Sequence, residues 1–193
     1  MSAIALLVLT FVSLDATAQI TRPFAIRYSA NINGDIKIVG NGLMTCPASA
    51  DCTSAQAGIA NPTGLNNNDF AMIDIDIDSD ASTFNSSSAT MTVPAGSTVR
   101  FAGLYWAATS ASAQRGSVLF KTPASFGYSA INATVVDTAA GAANNYSGFR
   151  DVTAAVVAAG SGVYTVANVQ RTLGATTGLV GFWWSHMKIL QNP

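Results

Sequence analysis

The sequence predicts an all-β protein, an antiparallel β-sandwich in jelly-roll or immunoglobulin-like style with one short helical segment. Three observations lead there. Apolar and β-branched stretches recur at intervals of roughly 10 residues, parted by Gly, Pro, Asn and Ser. Asp74-Ile75-Asp76-Ile77-Asp78 alternates with period two, which places successive side chains on opposite faces of a strand. Charged residues are 10% of the chain against a usual figure of about 25%, while small and hydroxylated residues abound. That balance suits an extracellular β-protein and argues against long helices. The formal net charge of -1 offers nothing to nucleic acid or anionic lipid.

The elements follow in order. Ile26–Ile32 alternates and predicts a first strand, with Asn33-Gly34-Asp35 as a hairpin turn and Ile36–Val39 as its partner, because Asn and Gly tolerate positive φ. Thr45–Phe70 has no periodicity and is dense in turn formers, so it predicts a long surface loop and the first candidate contact surface. Next come a strand with Ile73, Ile75 and Ile77 facing a core and Asp74, Asp76 and Asp78 facing outward, a strand over Ala89–Val93, and a turn at Pro94-Ala95-Gly96-Ser97. Phe101–Trp106 hardly alternates and predicts a doubly covered central strand. These three consecutive strands are expected to form one antiparallel sheet. Val118–Lys121, Ser129–Val136 and Val163–Val169 predict further strands, and Asp151 is placed to cap a short helix over Val152–Ala159.

Ala3–Leu14 is an apolar run ending in Asp15-Ala16-Thr17-Ala18-Gln19. Its length and small-x-small end match a secretory signal peptide over residues 1–18, too short to span a bilayer. Cleavage after Ala18 leaves one domain, residues 19–178, and the mature form is expected to be secreted or surface-exposed and not membrane-spanning. No Lys or Arg precedes the run, so the chain either starts upstream or relies on its free amino group. Cys46 and Cys52 lie six positions apart with Pro47 between them. In an exported chain this spacing predicts a disulfide-closed loop worth about 2–3 kcal/mol.

The motifs Asn31-x-Asn33-Gly34-Asp35-Ile36, Asp76-x-Asp78-x-Asp80, Phe84-Asn85-Ser86-Ser87-Ser88-Ala89, Ala102-Gly103-Leu104-Tyr105-Trp106, Phe149-x-Asp151-Val152-Thr153 and Gly162-x-Tyr164-Thr165-Val166-Ala167-Asn168-Val169-Gln170 occur in that order. Together, over residues 24–170, they resemble the N-terminal domain of large bacterial secreted or cell-surface proteins that often continue into repeats of domain of unknown function eleven. The resemblance implies a non-enzymatic, adhesin-like module followed by downstream domains of a parent protein. It brings no ligand and no catalytic residues.

The resemblance stops near Gly178. Such domains would continue with a strand of the form Gly-Trp-x-Leu-Val-Val-x-Tyr-Glu, whereas this chain has Phe182-Trp183-Trp184-Ser185-His186-Met187-Lys188. Shifting the reading frame back by one base turns Phe182-Trp183-Trp184 into Leu-Val, the last base of Trp184 with a TCN codon for Ser185 supplies a second Val, and the following residues come close to the expected strand. Residues 179–193 are therefore expected to be out of frame, the chain a truncated product of a longer gene. A neighbouring strand would then be left unpaired and the product poorly soluble.

Asp74, Asp76, Asp78 and Asp80 are the one charged constellation, and calcium is the cation that such oxygen ligands suit. Residues i and i+2 on a strand lie roughly 6.6 Å apart, so one ion would bridge only neighbouring pairs. A solvated strand face is the plain alternative. The single His186 lies far from Cys46 and Cys52 and in the aberrant tail, which speaks against a zinc site and against a Ser-His-Asp triad. Asp137 and Asp151 have no context for glycoside hydrolysis. Tyr105 and Trp106 are either core or sugar-stacking residues. The expected function is thus a non-enzymatic structural or adhesive surface module without a cofactor, meeting other surface proteins, matrix or glycans. The alternative is a calcium-assisted carbohydrate-binding sandwich.

Overall fold

A computed structural model describes residues 22–58, 69–139 and 141–174, together with the backbone of residues 182–191. The expected signal peptide over residues 1–18, and residues 59–68 of the expected contact loop, lie outside the described residues. The chain is all-β and antiparallel. A five-stranded sheet takes the order β1 (Gly34–Gly42), β11 (Phe182–Gln191), β5 (Ser97–Thr109), β9 (Ala142–Asp151), β8 (Val135–Ala139). A four-stranded sheet takes the order β4 (Ser86–Met91), β10 (Gly162–Ala167), β6 (Ser117–Lys121), β7 (Ser129–Asn132). A two-residue ladder joins β2 (Met44–Thr45) to β3 (Ile73–Asp74). The helices are α1 (Ala50–Gln56) and α2 (Thr153–Ala159).

The core lies between the two larger sheets. Alternate residues of β5, namely Ala102, Leu104, Trp106 and Ala108, point into it and meet Phe120, Tyr164 and Val166 of the other sheet. Trp106 is fully buried, and its indole N–H donates to the Arg115 carbonyl at 3.0 Å, so this large ring is desolvated without orphaning its donor. Gly148, directly across the ladder from Trp106, has no side chain because a Cβ there would lie 2.3 Å from the indole. Helix α2 closes one end. Asp151 Oδ1 accepts from the Thr153 N–H at 2.9 Å, and Val156 enters the core.

Several expectations are corrected. Ile26–Ile32 is not a strand and the Asn33-Gly34 hairpin does not form; β1 pairs along its length with β11 instead. Residues 22–28 cross the outer face of the five-stranded sheet as a strap, with Arg22 on Asp137 of β8, Arg27 over Phe149 of β9 and Tyr28 stacked on Phe101 of β5. The expected three-stranded sheet is dispersed: β3 pairs with β2, β4 joins the four-stranded sheet, and β5 lies in the other. The turn at Pro94–Ser97 does form, with Ser97 N–H on the Pro94 carbonyl at 3.0 Å and Gly96 at φ +77°, but it carries the chain between sheets. Ser129–Val136 likewise divides into β7 and β8. At the crossing, Ala133 N–H bonds to Gly116 and the next amide, Thr134 N–H, to Phe149 of the opposite sheet.

The cystine loop contains the helix α1, absent from the sequence reading, whose Ser49 hydroxyl caps the Cys52 N–H at 3.0 Å. The neighbour expected to lack a partner has one. Residues 182–191 pair with β1 on one flank and β5 on the other, with a register shift between Lys188 and Ile189. Ladder bonds use the backbone, so even an unexpected sequence satisfies them.

Candidate contact surface and the aspartate segment

The Asp74–Asp80 stretch is a regular strand only at Ile73–Asp74. Ile73 and Ile77 are 46% and 52% exposed, so the expected inward isoleucine face is corrected, and Asp74 is the more buried neighbour. The cause is competition from polar side chains in β4 and after β10. Arg171 grips both Asp74 oxygens, Nε at 2.6 Å and Nη2 closer still, while its guanidinium covers the Phe84 ring at 4.3 Å. Asn85, fully buried, donates to the Val169 carbonyl at 3.0 Å and to Asp74 at 3.4 Å, and accepts from the Val169 N–H at 3.1 Å. Asn168, at φ 59°, accepts from the Phe84 N–H and donates to the Ser82 carbonyl, both at 2.9 Å. Two motifs that lie 84 residues apart thereby form a reciprocal amide latch, a structural use not expected from the sequence. Its one sequence signal is that each asparagine borders a strand-forming run.

The remaining aspartates are also engaged. Ser86 Oγ accepts from the Ile77 N–H at 2.9 Å and lies 2.7 Å from Asp76 Oδ1 and 3.1 Å from Asp78 Oδ1. Tyr128 donates to the other Asp78 oxygen. Burial tends to raise the Asp78 pKa, but hydrogen bonds from Tyr128, the Asp80 N–H and Ser86 outweigh it and hold the carboxyl below its usual value. Burial, then the same carboxylate, pushes the Tyr128 phenol up. Asp80 accepts from the Ser82 N–H at 2.8 Å and Ser82 Oγ at 2.7 Å, which lower its pKa. The structure therefore brings Asp76 and Asp78 together on one hydroxyl, sends Asp74 to Arg171 and Asp80 to its own turn. Among the described residues no group of three or more His, Cys, Asp or Glu side chains is placed to hold a metal ion.

Cys46 and Cys52 form the disulfide, with Cα atoms 5.7 Å apart. It is buried with Met44 and Met72 in a small satellite core against which Phe70 packs, and a recess of about 340 Å³ opens beside it under Gln56 and Thr45.

The larger concavity, about 690 Å³, lies between the strap and the outer face of the five-stranded sheet. Phe101 and Tyr105 of β5, with Ser147, Asp137 and Ile36, line it beneath Arg22 and Arg27. Tyr105 and Phe149 meet at 4.8 Å between ring centroids, over Gly103, where a Cβ would lie 2.9 Å from the Phe149 ring. Burial raises the Tyr105 pKa against the pull of Arg27. Phe24, Ile26, Ile36 and Ile38 expose much of their surface around this face. Of the two aromatics weighed as sugar-stacking groups, Trp106 is core and Tyr105 belongs to this outer face. Sequence reading missed Arg22 and Arg27; two cations close together in so charge-poor a chain were the available signal. No helix among the described residues is long and apolar enough to cross a membrane. Comparison with known proteins finds no matching family model, no matching curated protein and no matching solved structure.

Proposed function

We propose that the chain is a non-enzymatic, exported module of adhesin-like architecture whose role is structural or adhesive at the surface of a bacterial cell or in its secretions. The observation that carries this reading is where the polar motifs go. Asn85, Asn168, Asp74 and Arg171 brace one strand end against another, a use in building the fold, while the aromatic face and its strap present contact area. Buried, mutually bonded polar groups specify a unique packing. The test is detection of the chain on intact cells or in culture fluid, sensitive to external protease, together with a panel of chromogenic hydrolase substrates. Retention inside the cell or turnover of a substrate would overturn the reading.

One observation favours a second reading, a carbohydrate-binding sandwich. The groove sets the Tyr105 ring and the Tyr28–Phe101 stack beside guanidinium, carboxylate and hydroxyl groups, the mixture that orients a sugar ring. Calcium assistance would have to come from Asp76 and Asp78, which lie on the segment joined to β4 of the other sheet. Glycan-array binding abolished by Tyr105→Ala, with a melting temperature raised by calcium and lowered by chelator, is the outcome expected of this reading. An array without hits and a melt indifferent to calcium would remove it.

A further inference from the structure

We infer that β1 is a docking edge for a second copy of this chain, paired antiparallel about Ile36. β1 is an edge strand of nine residues with neither proline nor bulge to protect it. Among the described residues no strand pairs with its second flank. Its Gly40–Gly42 end leans on the other sheet, Asn41 donating to the Ser88 carbonyl at 3.0 Å. The Gly34–Ile38 half is exposed at every residue. An open edge of this kind is a template for another strand, and a two-fold axis makes such pairing self-limiting.

The charges choose the register. With the axis at Ile36, Asp35 of each copy lies opposite Lys37 of the other, Ile36 opposite Ile36, and Gly34 opposite Ile38. Two cross-strand ion pairs and an apolar pair result. Moving the axis to Lys37 would set lysine against lysine. Within one chain the Asp35 and Lys37 side chains are 3.5 Å apart and both largely exposed, a contact worth little in water and readily exchanged for its equivalent in the partner. The paired span coincides with the half of β1 that the other sheet leaves open. This inference is independent of the surface-module reading, because it concerns the strand edge and not export.

Sedimentation velocity on the full chain over a range of concentrations is the test. The expected result is a concentration-dependent dimer. Asp35→Lys and Lys37→Asp each oppose like charges and should weaken association about tenfold, and the double exchange D35K/K37D should restore it. Ile36→Lys, at a half-exposed position, should also give monomers, with an unchanged melting temperature showing that the fold is intact. A chain monomeric at every concentration overturns the proposal. Association that ignores the single exchanges also overturns it and points to the aromatic face around Phe24 and Ile26, and failure of the double exchange to restore pairing excludes the register.

Discussion

Gly148 illustrates how one residue's absence of a side chain sets the core. Its strand partner Trp106 occupies the space a Cβ would need, so Gly148→Ala should destabilise the fold by about 1–3 kcal/mol, read as a lowered urea midpoint with unchanged slope. A glycine inside a strand reads from sequence only as a weakness, and the indole that requires it lies 42 positions away. Asp78 makes a different demand. Its carboxyl titrates below the ordinary 3.8 because burial is outweighed by the hydrogen bonds from Tyr128, Asp80 and Ser86. A depressed folded pKa contributes stability that is present above the unfolded value and is lost as pH falls through the folded one. The chain should therefore lose stability on acidification below about pH 4, and Tyr128→Phe, lacking the bond to Asp78, should show a shallower acid limb in melts across that range. Ile77→Ser, by contrast, should change the stability read in the same melts by no more than about 0.5 kcal/mol, since half of Ile77 already meets water.

Among the elements, α1 and the strap show local rules overruled or completed by distant partners. Helix α1 has only seven residues, too few to persist alone. The disulfide and the satellite core of Met44 and Met72 hold it in place. Cys46→Ser together with Cys52→Ser should cost about 2–3 kcal/mol, with hydrogen exchange rising in residues 44–56 while amides of β5 stay protected. Equal loss of protection in β5 would mean the satellite is no separate unit. The strap has the alternation of a strand, yet it crosses the sheet. Its Arg27 and Tyr28 find aromatic faces on β9 and β5.

The molecule as a whole rests on β11, which lies inside the five-stranded sheet although its sequence departs from the strand that the motifs lead one to expect. Ending the chain at Gly181 would bare the flanks of β1 and β5 together. Such a truncation should aggregate or bind a hydrophobic dye, and adding back the Leu-Val-Val form of the strand should raise the melting temperature above that of the present chain. Comparable melts for the two tails would show that backbone pairing alone secures the slot. Local structure was legible in the chain: β1, β5, β6, β10, α2 and the turn at Pro94–Ser97 follow from the pattern of apolar, glycine and turn residues within a few positions of one another, although Val152 and not the expected Asp151 stands at the cap of α2. The Cys46–Cys52 pairing belongs with them, being the one pairing open to two cysteines in one chain. Tertiary structure decided which strands pair, that Asp74 binds Arg171 in preference to a shared cation, and that Asn85 and Asn168 form a latch. Those outcomes depend on groups up to about a hundred residues apart, whose competition for the same ladder flank or the same hydrogen bond leaves no periodic trace in the chain.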